Sequence, residues 1–115
     1  MELAREALKD LIGSKPVHFT INDIQEVVSR VFCVTIPDLQ SKKRAKSIAL
    51  YRQIGIYLTR TLTGHSLEEI GSGFGGKDHT TIMYAVEKIK KRVQRDKQFK
   101  ETIEHLVGEL KKKCG

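Results

Sequence analysis

Apolar residues recur along this chain three and four positions apart, the period of a helix face rather than of a strand. Leu3, Ala7, Leu8, Leu11 and Ile12 mark a short amphipathic helix from Glu2 to about Ile12, ended by Gly13-Ser14-Lys15-Pro16. Thr20 is placed to cap the next helix. Asp23, three residues on, completes an approximate capping box, and Ile21, Ile24, Val27, Val28 and Val31 keep the period. From Phe32 to Leu39 the chain carries β-branched residues and Pro37, so a short extended stretch or a single turn is expected rather than a paired strand. A third helix follows from about Ser47 to Leu62, burying some combination of Ala49, Ile54, Leu58 and Leu62, with Gly64 where a C-terminal cap belongs. Ser66 and Glu69 form a capping box for a short helix ending near Ser72. Asp78 opens a long helix to about Arg95, with Ile82, Ala85, Val86, Ile89 and Val93 on one face. The last helix, about Gln98 to Lys111, carries Phe99, Ile103, Leu106, Val107 and Leu110. The pattern is that of an all-α bundle of about six helices, without repeats or low-complexity segments.

Composition narrows this little. The 115 residues suffice for one domain with a modest core. No apolar run approaches the length that spans a bilayer and no signal peptide is evident, so a cytoplasmic chain with no membrane partner is expected. Cys33 and Cys114 lack zinc-like spacing and read as free thiols in a reducing compartment, with no metal expected. Charge says more. The formal net charge is +7. Between Asp38 and Glu68 there is no acidic residue, whereas Lys42, Lys43, Arg44, Lys46, Arg52 and Arg60 all fall there. A solvated face usually mixes signs, so a one-signed stretch implies a polyanionic partner, nucleic acid first.

The most informative run is Gly71-Ser72-Gly73-Phe74-Gly75-Gly76-Lys77-Asp78-His79-Thr80-Thr81. Gly75 and Gly76 permit a sharp turn between two helices. Asp78 is a good N-cap, and His79, Thr80 and Thr81 make a polar first turn on an otherwise amphipathic helix. Such a helix suits packing along its length and insertion at its tip. In a DNA major groove His79 can donate or accept at a base edge, and Thr80 offers a hydroxyl and a methyl for thymine. Asp78 can accept from a cytosine amino group, and Thr81 can meet a phosphate or a base edge. Lys77, just before the helix, would reach a phosphate.

With those residues in view, the chain resembles the C-terminal DNA-binding domain, domain IV, of the bacterial replication initiator DnaA. The likeness runs from about Phe19 to Val93 and is carried by Gly71 to Thr81, by Ser41-Lys42-Lys43-Arg44-Ala45-Lys46-Ser47, by Tyr51-Arg52-Gln53 and by Leu62 to Ile70. The resemblance implies a helix-turn-helix bundle of TrpR-like class that binds double-stranded DNA at a short asymmetric AT-rich element, the DnaA box, in chromosomal replication initiation. It implies base contacts from Asp78, His79, Thr80 and Thr81 in the major groove and from Arg44 in the adjacent minor groove. It implies DNA-backbone contacts from Lys42, Lys43, Lys46, Arg52, Gln53, Leu67, Lys77 and Lys88. Lys46 stands where some relatives carry arginine, and Glu68 where some carry proline. Regulatory proteins of replication initiation are further implied partners, and the domain is expected to be a monomer because an asymmetric target demands no twofold. Residues 1–15 read as the linker helix that follows an ATPase module in that family, and 16–115 as the DNA-binding domain. The phosphate-binding order Gly-x-x-x-x-Gly-Lys-[Ser/Thr] does not occur, so no ATP or other cofactor is expected in this chain.

Other readings stay open at this stage. The fold could serve a transcription regulator or mobile-element protein with another target, or an accessory that docks proteins. An enzyme is disfavoured: Asp78 and His79 are adjacent, consecutive helical positions project about 100° apart, and no nucleophile or metal cluster supports them. His18, His65 and His105 read as ordinary surface or helix-end residues, and Lys90, Lys91, Arg92 and Arg95 as a solvated face. Tyr57, Tyr84 and Phe74 read as core rather than as stacking platforms for bases.

Overall fold

The computed structural model describes residues 19–41 and 45–114, and among these there are six helices and no strand. These are α1 (Ile21–Phe32), α2 (Ile36–Gln40), α3 (Lys46–Leu62), α4 (Leu67–Gly73), α5 (His79–Arg95) and α6 (Lys97–Cys114). The expected helix over 2–12, the boundary between 15 and 16, and Lys42, Lys43 and Arg44 lie outside the described residues.

The local signals act largely as their chemistry dictates. Thr20 accepts from the Asp23 amide at 3.0 Å while the Asp23 carboxylate accepts from the Thr20 amide at 3.0 Å, closing the capping box of α1. The stretch expected to be extended or a single turn becomes α2, because Thr35 caps it through the Asp38 amide and Pro37 sits in its first turn, where a missing N–H costs nothing. Gly64 does not cap α3. The cap is Thr63, in extended conformation, whose amide bonds to Thr59 O at 3.1 Å and whose hydroxyl accepts from the His65 amide at 3.2 Å, so no left-handed residue is needed. Asp96 serves two helices. Its amide closes α5 on Arg92 O at 2.8 Å and its carboxylate caps α6 through the Phe99 amide at 3.1 Å.

α3 runs through the centre and is buried on nearly every side from Ile54 to Thr59. One of its faces joins Ile24, Val27, Val28, Leu39, Ile89, Phe99, Ile103, Leu106, Val107 and Leu110 in the main core. Its Ile56 joins Ile70, Phe74, Ile82 and Ala85 in a smaller core beneath α4 and α5. Stacking of Phe32 on Tyr51, with centroids 4.2 Å apart, ties the end of α1 to α3. α6 closes the main core from outside and is pinned to α1 by Arg30–Glu109 at 3.0 Å and Lys113–Glu26 at 3.2 Å. Tyr57 and Phe74 are core residues as expected, but Tyr84 is not: it is 63% exposed. Two residues on from buried Ile82, it is turned away from the core face. Cys33 ends α1 in left-handed conformation, with φ 58°, and is an exposed free thiol. Among the described residues no helix is long and apolar enough to cross a membrane.

Candidate nucleic-acid interface

α4, a glycine turn and α5 form a helix-turn-helix, and each joint has a local cause. Ser66 and Glu69 exchange side-chain-to-backbone bonds of 2.8 and 3.1 Å at the start of α4. The bond from the Ser66 amide, ahead of the Ser66 hydroxyl and the nearby His65, holds the Glu69 carboxyl below its ordinary range. At the other end the Gly71 carbonyl gathers the amides of Gly76 at 2.8 Å and Lys77 at 3.0 Å. That chain reversal places Gly75 and Gly76 at φ 91° and 76°, the left-handed region that side chains resist. It also brings the Lys77 carbonyl so close that a Cβ on Gly71 would lie 2.2 Å from it.

The turn delivers Asp78 as N-cap of α5, its Oδ1 accepting from the Thr81 amide at 2.8 Å. That bond, ahead of the neighbouring His79 charge, holds the Asp78 carboxyl below its usual value. His79, Thr80 and Thr81 are all exposed, whereas Ile82, Ala85 and Ile89 of the same helix are buried. The polar first turn is therefore presented on a shaft fixed to the smaller core by Ile82 and Ala85 and to the main core by Ile89. Lys88 is exposed, eight residues beyond Thr80 and so on the same side of α5, and Tyr84 lies midway between them. Met83, 44% exposed, borders this outward face.

The other predicted residues divide into two kinds. Lys46 opens α3 and is exposed, and Leu67 opens α4, where the first amides have no intrahelical partner. Gln53 is half-buried, and its buried Oε1 has no hydrogen-bond partner. Arg52 and Lys77, expected at the DNA backbone, turn donors inward in this structure. Arg52 is 8% exposed. Its Nε donates to Leu39 O at 3.2 Å, and its Nη2 to Asp38 O at 3.3 Å and Ser41 Oγ at 3.4 Å. Burial lowers its pKa from the usual arginine value. Lys77 is half-buried, and its Nζ donates to Phe74 O at 2.7 Å and Ser41 O at 3.2 Å. The physical reason is common to both. The helix ends of α2 and α4 leave carbonyls without intrahelical donors, and long cationic side chains supply them. For Lys77 that signal was present in the sequence, a lysine directly after a double glycine at a helix end. For Arg52 no local signal existed, because its acceptors lie eleven to fourteen residues away.

The interior polar groups around this joint are also used. Gln25 Nε2 donates to Gly73 O at 2.7 Å, with Gln40 Nε2 more distant from the same oxygen at 3.4 Å. No group of His, Cys, Asp or Glu able to hold a metal ion occurs among the described residues. The arrangement offers hydrogen-bond donors, acceptors and methyls at a projecting helix tip, with cations beside it. It does not assemble a nucleophile and a base. The model of the bacterial DnaA protein helix-turn-helix family matches residues 21–89, the segment from the start of α1 into the second half of α5.

Proposed function

The chain belongs to the bacterial DnaA helix-turn-helix family, a DNA-binding family of replication initiation rather than an enzyme class, and from that premise we propose that it reads DnaA boxes of a replication origin. In this reading α5 enters the major groove and the basic segment reaches the adjacent minor groove. The observation that carries it is the tip of α5: exposed His79, Thr80 and Thr81 behind a capping Asp78, on a helix whose Ile82, Ala85 and Ile89 are locked in the core. A tip so held can meet base edges without a large ordering cost. Asp78, His79, Thr80 and Thr81 then carry base contacts, and Arg44 enters the minor groove, where a narrow AT-rich stretch concentrates negative potential.

Lys42, Lys43, Lys46, Gln53, Leu67 and Lys88 make the backbone contacts in this reading. Gln53 and Leu67 donate N–H groups, and the lysines supply charge. Arg52 and Lys77 stand apart from that set, because their donors face inward. The domain acts as a monomer on an asymmetric site, with regulatory proteins of initiation as further partners.

The test is a fluorescence-anisotropy titration against a duplex carrying one DnaA box and against a scrambled duplex, at two salt concentrations. Preference for the box that persists at the higher salt is expected. Equal affinity for both, vanishing together as salt rises, would refute sequence reading and leave only polyanion binding.

A further inference from the structure

Two cations beside the glycine turn hold one short segment. Ser41 is the last residue before the basic stretch, and it accepts from both: its hydroxyl from Arg52 Nη2 and its carbonyl from Lys77 Nζ. Arg52 also binds the carbonyls of Asp38 and Leu39, so the end of α2 is fastened to α3. Lys77 also binds Phe74 O, so the same segment is fastened to the turn that launches α5. The contact is close in the backbone too, since a Cβ on Gly75 would lie 1.9 Å from Gln40 O.

We infer that Arg52 and Lys77 are positioning residues, which set Ser41, the flank of the basic segment, against the turn that launches α5 and thereby set specificity. The inference rests on the DNA reading above. Two elements that read neighbouring grooves gain from each other only when their separation matches that of the grooves. Ser41 is where that separation is fixed, five residues before Lys46 and next to the turn before Asp78. Release of Arg52 to a phosphate would break its buried bond to Leu39 O, and release of Lys77 would break its bonds to Ser41 O and Phe74 O, so these donors are held inside.

A phosphate contact and a strut differ in what their loss does to salt dependence. The experiment titrates wild type, Lys77→Met, Arg52→Gln, Ser41→Ala and Lys88→Ala with the box duplex and the scrambled duplex across a salt series. Methionine keeps an apolar stem of similar reach and removes the ammonium. Lys77→Met and Arg52→Gln are expected to lose about tenfold on the box and less than about twofold on the scrambled duplex. Their salt slope on the scrambled duplex stays at the wild-type value. Lys88→Ala, the reference for a surface cation, is expected to weaken both duplexes together and to lower the slope by about 0.9.

Arg52→Gln removes a buried group, so folding is checked by thermal melting. Ser41→Ala keeps every charge and removes the hydroxyl that accepts from Arg52 Nη2 and donates to Asp38 O. It is expected to shrink the ratio between box and scrambled duplex with the slope unchanged. Parallel loss on both duplexes with a reduced slope for Lys77→Met, or an unchanged ratio for Ser41→Ala, overturns the inference while leaving box reading intact. A wild-type chain that fails to distinguish the duplexes overturns both.

Discussion

Asp78 Oδ1 lies 2.8 Å from the Thr81 amide, and this one bond both starts α5 and sets the state of its tip. It is also the first cause of the lowered Asp78 pKa. A depressed folded-state value makes the contribution to stability present above the unfolded pKa of about 3.9 and lost as pH falls through the folded value. Asparagine caps nearly as well but does not titrate. The melting-temperature advantage of wild type over Asp78→Asn is therefore expected to shrink as pH falls from about 6 to about 3. Glu69, also lowered, is common to both proteins and cancels in the difference. A difference that does not change with pH would exclude a charged cap.

His79 and Thr80 project from the shaft without supporting it. Both are exposed. His79→Ala and Thr80→Ala are each expected to cost roughly 1–3 kcal/mol of discrimination between box and scrambled duplex, with the melting temperature nearly unchanged. Competition titrations beside thermal melts separate the two effects. Equal losses on both duplexes would remove these side chains from base reading.

The helices and their caps were legible because their determinants are local: Thr20 with Asp23, Ser66 with Glu69, and Asp78 with Thr81 all act within four residues. So was the double glycine, since φ 91° and 76° follow from the chain reversal itself. What escaped is tertiary. Arg52 and Lys77 look like surface charge in sequence, yet their acceptors are carbonyls of other elements brought together only by packing. Tyr84 reads as core because a chain with so few aromatics is poorly suited to stacking on bases. Its own angle on the helix points outward, and it is exposed. Position alone points to Gly64 as the cap, whereas Thr63 closes α3 in extended conformation.

Cys33 offers a stability test remote from the interface. It occupies left-handed backbone, φ 58° and ψ 44°, at the end of α1, where its amide bonds to Ser29 O. A residue with a Cβ is strained there by about 1–2 kcal/mol, and glycine's greater freedom in the unfolded chain offsets part of the relief. Cys33→Gly is expected to stabilise by about 0.5–1 kcal/mol, and Cys33→Ala to give no such gain. Urea denaturation of the three proteins decides. A Cys33→Gly midpoint at or below the wild-type value would place the strain elsewhere.

Gly75 and Gly76 are adjacent, both left-handed, and should nonetheless respond differently. At Gly76 an added Cβ meets nothing within 4 Å, so alanine there suffers backbone strain alone, about 1–2 kcal/mol. At Gly75 the same strain is joined by a Cβ placed 1.9 Å from Gln40 O, which must move, and 3.3 Å from Lys77 Nζ. Gly75→Ala is therefore expected to destabilise more than Gly76→Ala in urea denaturation. It should also disturb the amide resonances of Gln40 and Ser41, which Gly76→Ala leaves in place. Because the displaced carbonyl belongs to the segment that Arg52 and Lys77 hold, Gly75→Ala should reduce box preference beyond what its stability loss explains, when measured well below its melting temperature. Equal destabilisation by the two alanines, with Gln40 and Ser41 unperturbed in both, would show that α2 does not bear on the turn as closely as 1.9 Å implies.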